Sequence, residues 1–275
     1  MNSDVVYLDT NHVSHLVRHP TDESTMTFLV ALKSGKASLA LSIVHLIELA
    51  DPNFISAPAV REFLDRVPVV WCTTPDDLWF AELNAAFGRY VGIHDPVVPF
   101  VHDVNVMLGG NPLGAPPSRA LEAFEDPKLR ARIAVLRDRG MAFEALKRDA
   151  LIVREPEFLL KRMINQRLPR NTPAGIVLPA PIDAGEFLRA TGGIEGLPSY
   201  SLMHKVANSR LRDTSFVAKP SDVFDLMHVG YSVYASFTAL ERSHAARVRS
   251  ARPSLSDRVV HRLDKVTEWL RCRAV

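Results

Sequence analysis

Short, unbroken apolar runs constrain this chain more than any other feature. Val5-Val6-Tyr7-Leu8 is followed by runs at 37–41 and 69–72, a minimal one at 236–238 and a last one at 258–261. Runs of four or so residues without polar alternation suit strands buried on both faces. Segments with helical patterning separate the first three, at 11–18, 25–33, 42–50 and 59–66. That order implies parallel strand pairing with right-handed crossovers. The expected fold class is α/β, a parallel sheet flanked by helices.

The rhythm changes after residue 74. A helix is expected over 76–90, then a long loop over 96–117 that contains Gly109-Gly110-Asn111-Pro112. Almost continuous helix follows over 119–168, then loop-rich chain to 198 and a helix over 200–211. Alternation resumes at Pro220, with helices over 222–234, 241–249 and 263–271. The simplest division is one α/β domain built from residues 1–74 plus 218–275, interrupted by a mainly α-helical insertion at 75–217.

With 275 residues, 47% of them hydrophobic, the chain can bury a substantial core. Its net charge of +2 conceals an asymmetry. Residues 1–110 carry 13 acids against 6 bases, residues 128–170 carry 12 bases against 5 acids, and residues 241–275 carry 9 bases against 4 acids. An acidic half can hold cations while basic segments hold phosphates. Cys72 and Cys272 are the two cysteines and form no CxxC, which removes a disulfide framework and a structural zinc site from consideration. No stretch reaches membrane-spanning length and the N-terminus lacks a signal-type core, so a cytoplasmic protein is expected.

Acidic residues recur just beyond the apolar runs. Asp9 closes the first, Glu48 follows the second within 42–50, Asp222 and Asp225 open a later hydrophobic stretch, and Glu241 follows 236–238. Open α/β sheets keep their sites in the crevice beyond the carboxyl ends of their strands. Several carboxylates converging there need a cation, and hard oxygens suit Mg²⁺ or Mn²⁺. Asp9 and Asp225 are the expected direct ligands, Glu48 a direct or water-mediated one, and Asp222 or Glu241 supporting ones. Plain structural roles compete with these. Asp9 could cap the next helix, although Asn11 is the better-placed cap, and Asp222 suits a helix N-terminus. Asp225 sits among Phe224, Leu226 and Met227, where an unpaired carboxylate would be costly. His228 either packs on the sheet or orients a ligand carboxylate.

Tyr7-Leu8-Asp9-Thr10-Asn11 resembles the opening motif of PIN-domain nucleases. The Glu48 segment is similar to their second acidic position, and Asp222-x-x-Asp225-x-x-His228 to a third found in PIN-like proteins. Glu241 falls where the family usually has a fourth acid, with Glu in place of Asp. The resemblance covers roughly 1–72 and 218–270 and leaves 75–215 unmatched. It implies a PIN-like sheet and a Mg²⁺- or Mn²⁺-dependent nuclease, an endoribonuclease more than a deoxyribonuclease. In that reading Asp9, Glu48, Asp225 and Glu241 are catalytic, Asp222 joins the metal set, and Asn11 and His228 support it. RNA, or single-stranded or structured DNA, is the implied partner, and a homodimer or a cognate inhibitor protein is compatible with it. The alternative is a catalytically silent PIN-like scaffold that binds nucleic acid or a partner protein. A metal-dependent phosphatase for small phosphoesters is a third reading.

The predicted insertion is rich in bases, among them Arg130, Arg137, Arg139, Arg148 and Arg162. Helices of this kind can contact phosphates with little sequence preference and strong salt dependence. They would form a lid or groove wall beside the acids. The competing role is a helical cap that mediates a dimer, with its bases turned outward.

Overall fold

A computed structural model of the chain describes residues 4–49, 57–90, 96–107, 114, 116–119, 121, 189, 191–213 and 222–274. The five bases named above lie outside these residues. So does nearly all of the helix expected over 119–168.

The described residues form a six-stranded sheet with helices on both faces. Its strands are β1 (Val5–Leu8), β2 (Ser38–Leu41), β3 (Val69–Cys72), β4 (Phe100–Val101), β5 (Phe237–Ala239) and β6 (Val259–Val260). The order across the sheet is β4-β3-β2-β1-β5-β6, and every pairing is parallel except β3 with β4. The apolar runs thus became strands at the expected places. β4 is a correction, since it lies inside the expected loop at 96–117. Its two residues are too few to show a periodicity, and it exists because the chain returns antiparallel along the exposed edge of β3.

Side-chain alternation along these strands divides the core into two layers. Val6, Leu8, Leu39, Leu41, Trp71, Phe237 and Ala239 face one layer. Helices α1 (Thr10–Arg18), α2 (Glu23–Ser34), α4 (Ala57–Arg66) and α10 (Leu263–Arg273) cover it, through residues such as Leu16, Phe28, Leu64 and Leu270. Tyr7, Ala40, Val70, Cys72 and Val259 face the other layer. That layer is covered by α5 (Pro75–Tyr90), α7 (Pro198–Leu211), α8 (Asp222–Tyr231) and α9 (Arg242–Ala251). The remaining helices are α3 (Ile43–Leu49) and the short α6 (Val104–Met107). Cys72 is buried, as a small apolar group would be, and Cys272 is exposed.

The described parts of 75–217 are built into these layers. Leu78 of α5 and Leu202 and Val206 of α7 belong to the second core, and β4 extends the sheet itself. A buried carboxylate joins two of these helices. Glu82, 1% exposed on α5, accepts hydrogen bonds from the N–H groups of Ser199 at 2.7 Å and Tyr200 at 3.4 Å, in the first turn of α7. Tyr234 also donates its hydroxyl to Glu82. This satisfies donors that a helix start leaves without intrahelical partners and places negative charge at the favourable dipole end. α7 then crosses α8 closely at Gly230, where a Cβ would lie 2.8 Å from Met203 Sδ.

Among the described residues no helix is long and apolar enough to cross a membrane.

Candidate functional site

β1 is flanked by β2 on one side and β5 on the other, so the chain's connections diverge from it in opposite directions. This is the topological switch point, where an open α/β sheet leaves a crevice beyond its strand ends. Asp9 extends β1 by one ladder bond, its N–H donating to Ala239 O at 2.9 Å, and the chain then turns into α1. Glu241 leaves β5 on the same side and sits at the N-cap of α9. α3 follows β2 and carries Glu48, while α8 precedes β5 and carries Asp222, Asp225 and His228.

Asp9 is buried and is the N-cap of α1, accepting from the His12 N–H at 3.1 Å. The His12 ring Nδ1 lies 2.6 Å from the same oxygen. Burial acts to raise the Asp9 pKa, but the hydrogen bonds and charge of His12 outweigh it and hold the carboxyl below its usual range. His12 is shifted upward, because the Asp9 carboxylate outweighs the opposing effect of burial. Asn11, expected as the cap, is exposed instead. The cap fell two residues earlier because β1 ends at Leu8 and helix dihedrals begin at Thr10.

A buried polar network lies beneath the crevice. The Tyr7 hydroxyl is 2.5 Å from His228 Nδ1, and Thr10 Oγ1 is 3.1 Å from His228 Nε2. Glu48 Oε2 lies 3.5 Å from that Nε2, an ion-pair separation, and is a buried oxygen with no hydrogen-bond donor. Burial acts to raise the Glu48 pKa, but His228 and Thr10 outweigh it and bring the carboxyl below its usual range. His45, three residues before Glu48, faces a different partner set. Its Nε2 donates to Leu8 O at 2.7 Å, and its Nδ1 accepts from the Ser42 N–H at 3.0 Å. The second bond ties the residue preceding α3 back to the first turn, as a capping-box side chain does. Burial, then the neighbouring His228, lowers His45 to a pKa of about 3, so it is neutral at physiological pH.

α8 presents Asp222 and Asp225 to a cation supplied by the protein itself. Arg210 of α7 is 8% exposed and donates through Nη2 to Asp222 Oδ1. Its Nη1 lies 3.8 Å from Asp225 Oδ2 and donates to His244 Nε2 at 3.0 Å. Burial, followed by the charge of Arg210, lowers the His244 pKa to about 4, which keeps that ring an acceptor. Burial raises the Asp225 pKa to about 6, more than Arg210 and His228 lower it. Glu241 stands apart on the rim, its side chain 53% exposed and 3.9 Å from His244 Nδ1.

Comparison with family models, with curated proteins and with solved structures gives no match.

Asp9, Glu48, Asp222, Asp225, His228 and Glu241 thus all sit on elements that end or begin at one end of the sheet. Among the described residues, however, no three His, Cys, Asp or Glu groups stand close enough to enclose a metal ion. Asp222 is committed to Arg210, and Glu241 points to the rim. Asp9, Glu48 and Asp225 retain oxygen chemistry suited to a hard cation, most plainly at the orphaned Glu48 Oε2. Arg210 and His244 escaped the sequence reading. A lone arginine on an otherwise uncharged turn of 198–211 was the one signal available for Arg210.

Proposed function

We propose that this chain is a PIN-like, divalent-metal-dependent nuclease that hydrolyses phosphodiester bonds, with RNA as its substrate class. The observation that carries the reading is the position of Asp9 and Glu241 after the two strands that flank the switch point, β1 and β5, with Glu48 and Asp225 on the neighbouring helices. The PIN-like resemblance of the sequence supports the same set of acids.

Asp9, Glu48 and Asp225 would hold a Mg²⁺ or Mn²⁺ ion. The ion supplies an activated water and a sink for charge on the leaving oxygen. His12 keeps Asp9 ionised and fixes its rotamer. Tyr7 and Thr10 hold the His228 ring, which in turn faces Glu48. Asp222 acts through Arg210, and Glu241 borders the crevice mouth. The bases at 130–162 remain the proposed contacts to the nucleic-acid backbone.

The test is cleavage of end-labelled single-stranded RNA with Mn²⁺, set against Asp9→Asn. Cutting that EDTA and the substitution both abolish supports the reading. Two folded proteins inactive on RNA and DNA alike would refute it.

One observation favours a second reading, the catalytically silent scaffold. Arg210 already supplies a positive charge to Asp222 and Asp225, so the acids do not require a metal for the fold to tolerate them. Such a scaffold would show no Mn²⁺-induced rise in melting temperature.

A further inference from the structure

We propose that the cleft between the ends of α2 and α4 is a phosphate-binding site, held by Lys33, Lys36 and Arg66 at the end of the sheet opposite the acidic crevice.

The cleft has a volume of about 420 Å³ and opens where β2 and β3 begin, lined by Ser38, the first residue of β2, and by Pro68, just before β3. Three bases line it against one acid, Asp65. That acid has another partner, its Oδ1 accepting the Ser118 N–H at 3.3 Å. Arg66 shares its charge with Glu62 at 3.1 Å, an exposed pair that costs little to loosen. The side chains of Lys33 and Lys36 have no hydrogen bond or ion pair among the described residues.

Bases at a helix end commonly answer its unpaired carbonyls and the negative end of its dipole. That need is small at the end of α2. The N–H groups of Gly35, Lys36 and Ala37 donate to the carbonyls of Ala31, Lys33 and Leu32, and the last two bonds make a Schellman motif. Lys36 holds its left-handed position, with φ 51°, and is the sole non-glycine residue of positive φ among the described residues. Glycine adopts this conformation freely, whereas a lysine Cβ crowds the following carbonyl. The glycine of this turn, Gly35, stands one residue earlier in ordinary right-handed dihedrals. A lysine kept where the backbone favours glycine points to a duty of its side chain.

Two ammonium groups and a guanidinium fork suit an anion with several acceptor oxygens. A phosphate group is such an anion, and the cleft has room for the small molecule or strand that carries it. Because the cleft lies where strands start, its occupant is held apart from the crevice beyond their ends. The site is therefore independent of the nuclease reading.

The test follows the amides of Lys36, Ala37 and Ser38 in the full chain by heteronuclear NMR. Sodium phosphate, uridine monophosphate and a single-stranded RNA without terminal phosphates are added in turn, each against sodium chloride of equal ionic strength. Saturating shifts with inorganic phosphate and the mononucleotide are expected and identify a phosphate monoester. Shifts with the RNA alone identify a backbone diester as the source. Lys36→Gly should weaken binding about tenfold, the weight of one charge-assisted hydrogen bond. It should also raise the melting temperature, since the left-handed lysine is gone. A purely structural lysine would give the second effect without the first. Lys36→Arg should retain binding, and Asp65→Asn should tighten it. No shift beyond chloride with any of the probes, or equal binding by the parent and Lys36→Gly, overturns the proposal.

Discussion

The hydroxyl of Tyr7, on the central strand, lies 2.5 Å from Nδ1 of His228, which is 221 residues away on α8. Burial holds the Tyr7 pKa far above its usual value, so the phenol keeps its proton and donates it to the ring. With the phenol donating, Nδ1 accepts and Nε2 carries the ring hydrogen toward Thr10 Oγ1 and Glu48 when His228 is neutral. A strand residue thereby sets the tautomer of a crevice side chain. Tyr7→Phe leaves a buried ring nitrogen without its donor. It should cost about 1–3 kcal/mol in a denaturant titration. A midpoint equal to the parent's would show that the bond contributes nothing.

Asp9 combines a structural and a chemical duty, and two substitutions separate them. Asn caps a helix nearly as well as Asp, so Asp9→Asn should lie within about 0.5 kcal/mol of the parent while abolishing any metal-dependent cleavage. Asp9→Ala removes the cap as well and should cost about 1 kcal/mol more. Thermal melts of the two variants, compared with their cleavage rates, check the separation.

Arg210 and Asp222 form the most deeply buried charge pair among the described residues. Breaking it on one side, as in Arg210→Ala, should destabilise the protein by about 3–5 kcal/mol. Replacing both partners by apolar groups should come out near neutral. Additive losses across this double-mutant cycle would mean that the pair is not coupled.

Glu82 predicts a stability defect without a crevice defect. Glu82→Ala strips acceptors from the start of α7 and from the Tyr234 hydroxyl and opens a void, at a cost of about 2–4 kcal/mol. Glu82→Gln keeps the volume and one acceptor oxygen, and should recover about half of that. Equal losses for the two variants would place the effect in the carboxylate's hydrogen bonds and charge, not in packing.

Acid should weaken the fold well before its carboxylates are all protonated. The folded pKa of His45 is about 3, against an ordinary 6.5, so between those values the unfolded chain takes up a proton that the native ring refuses. Stability therefore falls as pH drops through that window. His244 acts in the same direction between 6.5 and about 4. Asp225 opposes them, because its folded pKa of about 6 exceeds the ordinary 3.8 and the native state gains a proton first. The raised pKa values of His12 and Glu82 also oppose the histidines, while the lowered ones of Asp9 and Glu48 act with them, and melting temperature should decline between pH 6.5 and 4. His45→Gln should flatten that decline; a melting temperature that rises toward pH 4 would contradict the assignment.

The sequence by itself determined the strands, the helices between them, and the placement of five acids at one end of the sheet. Those features are local or periodic. A run such as Val5–Leu8 finds a low-energy state only as a buried strand, and Asp9 has a cap to make wherever the rest of the chain goes. Even so, Asn11 gave up the expected cap to Asp9, and the two-residue β4 was invisible until its partner strand β3 supplied an edge. Tertiary structure alone decided what surrounds the acids. Arg210 was one base among many until packing of α7 on α8 and α9 buried it against Asp222, Asp225 and His244. Tyr7 and His228 are joined across 221 residues, and Glu82 meets the start of α7 across 117. Pairings at such separations carry no periodic signature, because their energy comes from desolvating two groups together, and only the folded chain brings them into contact.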